Sequence, residues 1–338
     1  MRYVRCVRSD QAGRMISKAV AFAAGLGLAC LVSAQSFPSK PIKIIAGFGA
    51  GGTADSVARL YAQKMSELLN TPVIVENRPG AQQLLAIRTL MSSPPDGHTL
   101  NLAVASGLYQ NPALTKDLPY DPLKDFSLIG IAVYFPGVIF ASPELPFRTV
   151  QQLVDYAKAN PGKLNYGSAG DRTAGHLAIE LLMSVTGTQM THIPFKSDAD
   201  VIREVMTNRV QVGIMTTLNT TAAINAGNIR GLAVTTAKRL PFLPNVPSLP
   251  ETGLGTSAEL DPHTLAAFVG PAGMPAPIVA RLNETINKIS AMNEVADRVR
   301  NVLYGEPAST TPASFRSFVE KQLTIWAEVG KSMKPSDK

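Results

Sequence analysis

Gly47, Gly49, Gly51 and Gly52 stand between an apolar run at 42–46 and a helical pattern that starts at Thr53. The run has the β-branched residues that strands favour. The glycines let the backbone turn sharply and come close to a bound group. Beyond them Val57, Leu60, Tyr61, Met65, Leu68 and Leu69 share one helical face. A strand that turns into a helix start offers unpaired N–H groups and a partial positive charge, which together make an anion cradle. The residues placed for contact are Phe48, Gly49, Ala50, Gly51 and Gly52. Asp55, near the helix start, is either a further contact or a cap favoured by the dipole.

Two anions suit this turn. Gly47, Gly49 and Gly52 fit G-x-G-x-x-G, and the next strand ends at Glu76, where a dinucleotide-binding enzyme holds a ribose. That reading gives an NAD(P)-dependent oxidoreductase. The other anion is a small carboxylate, and a second turn of the same kind bears on the choice. Ser168, Ala169, Gly170, Asp171, Arg172 and Thr173 follow a short strand at 164–167 and precede a helix from about Ala174. Ser168, Ala169, Gly170 and Thr173 are its contact candidates. Arg172 either grips a carboxylate in bidentate fashion or is a solvated loop side chain. Ser106 and Gly107 end a further strand at the cleft side, and Thr216 opens the turn after the strand at 210–215. The histidines His98, His176, His192 and His263 have neither metal-ligand spacing nor a nucleophile beside them, and His176 reads as a packed helical residue. No catalytic residue, metal or cofactor is assigned.

The elements that must hold these turns alternate between strand and helix along the chain. Helical patterns cover 82–91, 150–159, 174–185, 199–207, 220–226, 277–290, 293–302 and 311–329. Strand patterns cover 73–75, 99–105, 128–133, 138–141, 192–195, 232–235 and 265–269. Thr149 with Gln152 reads as a capping box, and Thr311-Pro312 as a cap and first turn. Such alternation implies mostly parallel sheets with helices on both faces, and two anion turns imply two lobes facing one cleft. Residues 238–262 are rich in Pro, Gly and Ser and show little periodicity.

The first 34 residues differ from the rest. Arg2, Arg5, Arg8, Arg14 and Lys18 precede the apolar run 19–32, and Val32-Ser33-Ala34 has the small residues of a cleavage site. This is the pattern of an export signal, with a run too short for a confident transmembrane span. Leu26 to Cys30 forms a weak lipoprotein-like box, so lipid at Cys30 is the alternative. Loss of the five basic residues and Asp10 lowers the formal charge from +7 to +3. Both cysteines, Cys6 and Cys30, leave with the leader, which removes any disulfide or thiol chemistry. No basic patch interleaved with aromatics supports nucleic-acid binding. Export also disfavours a nicotinamide cofactor and favours nutrient capture.

A series of short motifs then runs through nearly the whole mature chain. It comprises Phe37-Pro38-Ser39-Lys40-Pro41-Ile42, Phe48-Gly49-Ala50-Gly51-Gly52 with Asp55, and Val75-Glu76-Asn77-Arg78-Pro79-Gly80-Ala81. Pro95-Asp96-Gly97-His98-Thr99-Leu100, Asn111-Pro112-Ala113-Leu114 and Leu118-Pro119-Tyr120-Asp121-Pro122 follow, and later Pro161-Gly162-Lys163-Leu164-Asn165-Tyr166, Ser168-Ala169-Gly170, Gly231-Leu232-Ala233-Val234-Thr235 and Pro271-Ala272-Gly273. In this order they resemble the periplasmic solute receptors of tripartite tricarboxylate transporters, often called Bug proteins. The resemblance implies an α/β, two-lobed type II periplasmic-binding fold with a hinge and a central ligand cleft. Domain one would combine 36–137 with 264–338, and domain two would span 138–263. It implies a non-enzymatic, monomeric, periplasmic receptor. A small organic carboxylate would be held by main-chain N–H groups and ordered water, then passed to integral membrane permease subunits. A ligand sensor for a signalling partner is the variant. Lys196 matches a lysine position of the family, or is an exposed loop residue. Three stretches depart from the family pattern: Gln82 to Ala86, where glycines are usual, Met215 to Thr217, and Leu265 to Ala267.

Overall fold

The computed structural model describes residues 37–51, 53–80, 83–170, 173–195, 197–254 and 264–332. The expected leader, with Cys30, lies outside the described residues, and so do Gly52, Arg172 and Lys196. Lys40–Lys338 forms one compact unit.

The chain first lays down four strands: β1 (Ile42–Ala46), β2 (Val73–Asn77), β3 (Thr99–Val104) and β4 (Phe126–Phe135). It passes through Pro136 into a second set: β5 (Gly137–Ala141), β6 (Asn165–Ser168), β7 (Thr191–Pro194), β8 (Val212–Thr216) and β9 (Arg230–Val234). It returns with β10 (Thr264–Pro271) and β11 (Glu306–Pro307). The first sheet has the order β11-β4-β10-β3-β1-β2 and the second β7-β6-β8-β5-β9. In both, three parallel strands come first (β2-β1-β3 and β7-β6-β8). An antiparallel strand is then inserted: β10 in the first sheet and β5 in the second. The alternation of strand and helix implies mostly parallel sheets, and this antiparallel insertion is the difference. Each inserted strand follows a crossing between sheets, so it enters from the opposite edge.

The helices are α1 (Thr53–Leu69), α2 (Leu84–Met91), α3 (Asn111–Leu114), α4 (Val150–Ala159), α5 (Ala174–Thr186), α6 (Asp198–Met206), α7 (Thr217–Asn225), α8 (Ala276–Ser290), α9 (Asn293–Asn301) and α10 (Pro312–Ser332). A π-helical turn, Ser106–Gln110, precedes α3, so Ser106 and Gly107 begin a turn two residues beyond the end of their strand. Thr149 caps α4 by accepting from the Gln152 N–H at 3.2 Å, and the Gln152 amide accepts from the Arg148 N–H. Thr311 caps α10 in the same way, through the Ser314 N–H at 3.0 Å. The aperiodic stretch after β9 holds a short 3-10 turn, Leu249–Thr252, closed by a reciprocal Ser248–Glu251 capping box.

Phe315, Val319 and Trp326 of α10 are buried with Tyr109, Tyr120, Phe126 and Leu128 against the first sheet. Each large apolar side chain removed from water contributes roughly 1.5–3 kcal/mol, so this helix is an integral part of that core. On the second sheet, α4 and α5 bury Leu153, Val154, Ile179 and Leu182 with Tyr166 and Val212. Val201 and Val205 of α6 pack with Phe140, Val210 and Met215 in a separate cluster. The partly buried Leu181 of α5 touches both the first-sheet core and that of α4 and α5. Near the crossing the Thr217 N–H donates to Pro136 O at 2.9 Å, and the Thr217 hydroxyl donates to Tyr304 O.

Candidate functional site

Because β6, β7 and β8 run parallel, α5, α6 and α7 all begin at one edge of the second sheet. A cavity of about 330 Å³ opens there, lined by Phe135, Ala169, Thr173, Gly175, Asp198, Ile214, Met215, Thr216, Leu218 and Asn219. Carboxyl ends of strands are where open α/β sheets bind ligands. Gly175 lets α5 sit against β8, since a Cβ there would lie 2.6 Å from Ile214 O.

The turn between β6 and α5 is drawn together on the Gly170 carbonyl. Ser168 Oγ and Thr173 Oγ1 each donate to it at 2.8 Å, and Gly170 holds φ +121°, which its missing side chain permits. Thr173 stands at the N-cap of α5 but makes no side-chain cap bond to the helix, because its hydroxyl points back to Gly170. Thr216 stands at the N-cap of α7, likewise without a side-chain cap bond. Of these three helices α6 alone has a side-chain cap, Ser197, which accepts from the Asp200 N–H at 3.2 Å. Two helix starts without side-chain caps therefore face one cavity. Their N–H groups and dipoles favour an anion.

A buried aromatic stack supports this turn. His192 Nε2 is 2.7 Å from Ser168 Oγ, and the His192 ring lies on His176 at 3.9 Å and on Tyr166 at 4.9 Å. Glu180 accepts from the Tyr166 hydroxyl at 2.5 Å and lies 3.6 Å from His176 Nε2. The His176 partner, and then the Tyr166 bond, hold the Glu180 carboxyl below its ordinary value despite burial. His176 is thus the packed residue its helical setting suggests. The support that His192 gives Ser168 is legible only once β6 and β7 are paired.

The glycine turn after β1 is clamped by its neighbours. Asp55 accepts from the Gly51 N–H at 2.9 Å, Arg59 Nε at 2.9 Å and Asn77 Nδ2 at 2.9 Å. Asn77 also donates to Phe48 O at 3.1 Å. Burial alone would raise the Asp55 carboxyl, but these bonds outweigh it and hold it at about 2. The Gly51 N–H is therefore engaged within the turn, and Asp55 acts there as a brace. Gly49 faces open space, while Gly51 holds φ +83°, where any side chain is strained. Glu76, the ribose acceptor of the dinucleotide reading, is paired with Lys43 at 2.6 Å and with Arg78.

Sequence reasoning misses Gln83. It is fully buried, with its backbone at φ +75°. Its amide donates to Ser106 Oγ at 2.6 Å and accepts from the Val104 N–H at 3.3 Å. A Cβ on Gly47 would lie 2.6 Å from Gln83 Cγ, and one on Gly107 3.2 Å from Gln83 Nε2. The side chain thus fills the space between the first glycine turn and the Ser106–Gly107 turn. The available signal was the departure at Gln82 to Ala86, where the family pattern has glycines.

Of the candidate residues, Ala169, Thr173 and Thr216 line the cavity. Ser168 and Gly170 build its turn, Ser106 and Gly107 surround Gln83, and Phe48 to Gly51 form the braced turn of the first sheet. Asp198 and Asn219 line the cavity without having been singled out. Among the described residues no cluster of metal-ligating side chains occurs, and no helix is long and apolar enough to cross a membrane.

Residues 57–332 match the tripartite tricarboxylate transporter family receptor. The chain belongs to that receptor family. A UPF0065 protein encoded in the gbd 5' region of Cupriavidus necator is 37% identical over 273 residues, covering 80% of this chain and 81% of that protein. BugT of Bordetella pertussis is 28% identical over 317 residues, covering 94% and 96%. Among solved structures, the periplasmic binding protein BugD has 30% identity and a TM-score of 0.69, over 87% of this chain and 98% of that one. An R. palustris protein solved with adipate has 29% identity and a TM-score of 0.72, over 88% and 98%. MatC from Rhodopseudomonas palustris, with bound malate, has 25% identity and a TM-score of 0.68, over 87% and 100%. The family is one of transporter receptors, which sets the oxidoreductase reading aside, and the fold is that of two-lobed periplasmic binding proteins.

Proposed function

We propose that this member of the receptor family is exported to the periplasm, binds a small organic carboxylate, and delivers it to integral membrane permease subunits. The observation that carries the reading is the pair of helix starts, at Thr173 and Thr216, that face one cavity without side-chain caps. Their N–H groups would replace the water around a carboxylate as it leaves solvent. The adipate and malate held by two solved relatives support this ligand class. In this reading the lobe of 36–137 with 264–338 closes on the lobe of 138–263. The first lobe then brings Phe48 to Gly52 and the Ser106–Gly107 turn toward the ligand. Arg172 and Lys196 join from the second lobe.

Thermal unfolding with a panel of mono-, di- and tricarboxylates tests the proposal. A carboxylate at 100 times its Kd adds about 2.7 kcal/mol, a rise of roughly 4 °C for a chain of this size. NADH should give none. A shift with NADH and none with any carboxylate overturns the reading.

A further inference from the structure

The carboxamide of Gln83 is fixed end for end between two turns of the first sheet. The pairing of β1 with β3 ends at Ala46 and Leu102, where β1 gives way to the glycine turn. Beyond that point the Val104 N–H is met by Gln83 Oε1 at 3.3 Å. An N–H only donates, so the amide oxygen must face it, and the amide nitrogen then faces Ser106 Oγ at 2.6 Å. The side chain is fully buried, with Gly47 and Gly107 packed so closely on it that a Cβ on either would lie 2.6 Å and 3.2 Å from its atoms. The amide is thus held in one sense.

That sense decides what Ser106 can do. A hydroxyl has one proton and two lone pairs. One lone pair receives the Gln83 N–H, so the proton is not spent on Gln83. Among the described residues the Ser106 proton has no acceptor, whereas Thr220 and Thr221 spend theirs on the carbonyls of Thr216 and Thr217. Ser106 is half-buried, beyond the carboxyl end of β3, in a turn whose Gly107 carbonyl is held by the Tyr120 hydroxyl at 2.9 Å. Open α/β sheets bind ligands at this end of their parallel strands. A fixed hydroxyl donor there is matched by an acceptor oxygen, such as that of a carboxylate.

We infer that Gln83 is a positioning residue for ligand binding: by donating to Ser106 Oγ it commits the Ser106 hydroxyl to donate in turn to an oxygen of the bound acid. This rests on the receptor reading above. The departure at Gln82 to Ala86, where the family pattern has glycines, then gives this chain a first-lobe contact that a glycine at position 83 could not orient.

Titration calorimetry with succinate, malate, adipate and citrate, followed by a double-mutant cycle on the acid that binds tightest, decides it. Ser106→Ala should weaken that acid about tenfold or more, equivalent to about 1.4 kcal/mol. Gln83→Met, of similar length but without a donor, should weaken it several-fold in the wild-type background and not at all in the Ser106→Ala background. Gln83→Glu serves where Gln83→Met does not fold. At pH 7.5 its carboxylate can only accept, so it takes the Ser106 proton and binding falls. At pH 5.5 the buried carboxyl gains a proton and donates as the amide does, and the loss relative to wild type should shrink. Unchanged affinity in Ser106→Ala, losses that simply add in the cycle, or a Gln83→Glu loss equal at both pH values overturns this inference and leaves the receptor reading intact. Silence of the wild type toward all four acids overturns both.

Discussion

Gln83 keeps a left-handed backbone at full burial because both ends of its amide are engaged, with Ser106 and with the Val104 N–H. A non-glycine residue held there carries roughly 1–3 kcal/mol of strain, offset by those bonds and by close packing on Gly47 and Gly107. The packing has a measurable consequence. Gly47→Ala should lower stability by about 1–3 kcal/mol in urea unfolding, since its new methyl meets Gln83 Cγ. In a Gln83→Gly background the same change should cost much less. A double-mutant cycle with no coupling would show that the two residues do not touch.

At the scale of elements, the braced turn ahead of α1 links a single carboxyl to acid stability. Asp55 is held at about 2, below its ordinary value of 3.8. A depressed carboxyl stabilises the fold above its unfolded pKa, and that contribution is lost as pH falls through the folded one. Stability should therefore decline by about 1–2 kcal/mol between roughly pH 4 and pH 2, with half-exposed Arg59 reducing the effect through solvent screening. Asp55→Asn should be less stable at neutral pH and lack this part of the decline. Parallel acid titrations of the two proteins would contradict the account. Strand–turn–helix units are legible in the chain because apolar runs give way to helical spacing at Gly47, at Ser168 and at Thr216. The direction of β5 and β10 is not, since a strand buried on both faces reads alike either way. Nor is the pairing of Asp198 with Asn219, which lie 21 positions apart and meet only when α6 and α7 start at one sheet edge. Gln83 escapes for a related reason: its left-handed backbone is set by tertiary partners, against its own propensity.

At the scale of the whole molecule, two sheets of one topology each take an antiparallel strand after a crossing, and the chain is pinned near the first crossing by Thr217 and Tyr304. The second sheet presents the described cavity, with two uncapped helix starts on it. The central claim is that a carboxylate is received at those starts. A crystal structure of the protein with the acid of the carboxylate panel that stabilises it most tests it most directly. The account predicts carboxylate oxygens within about 3.2 Å of backbone N–H groups at the start of α5 or α7. A ligand seated away from both helix starts would contradict it.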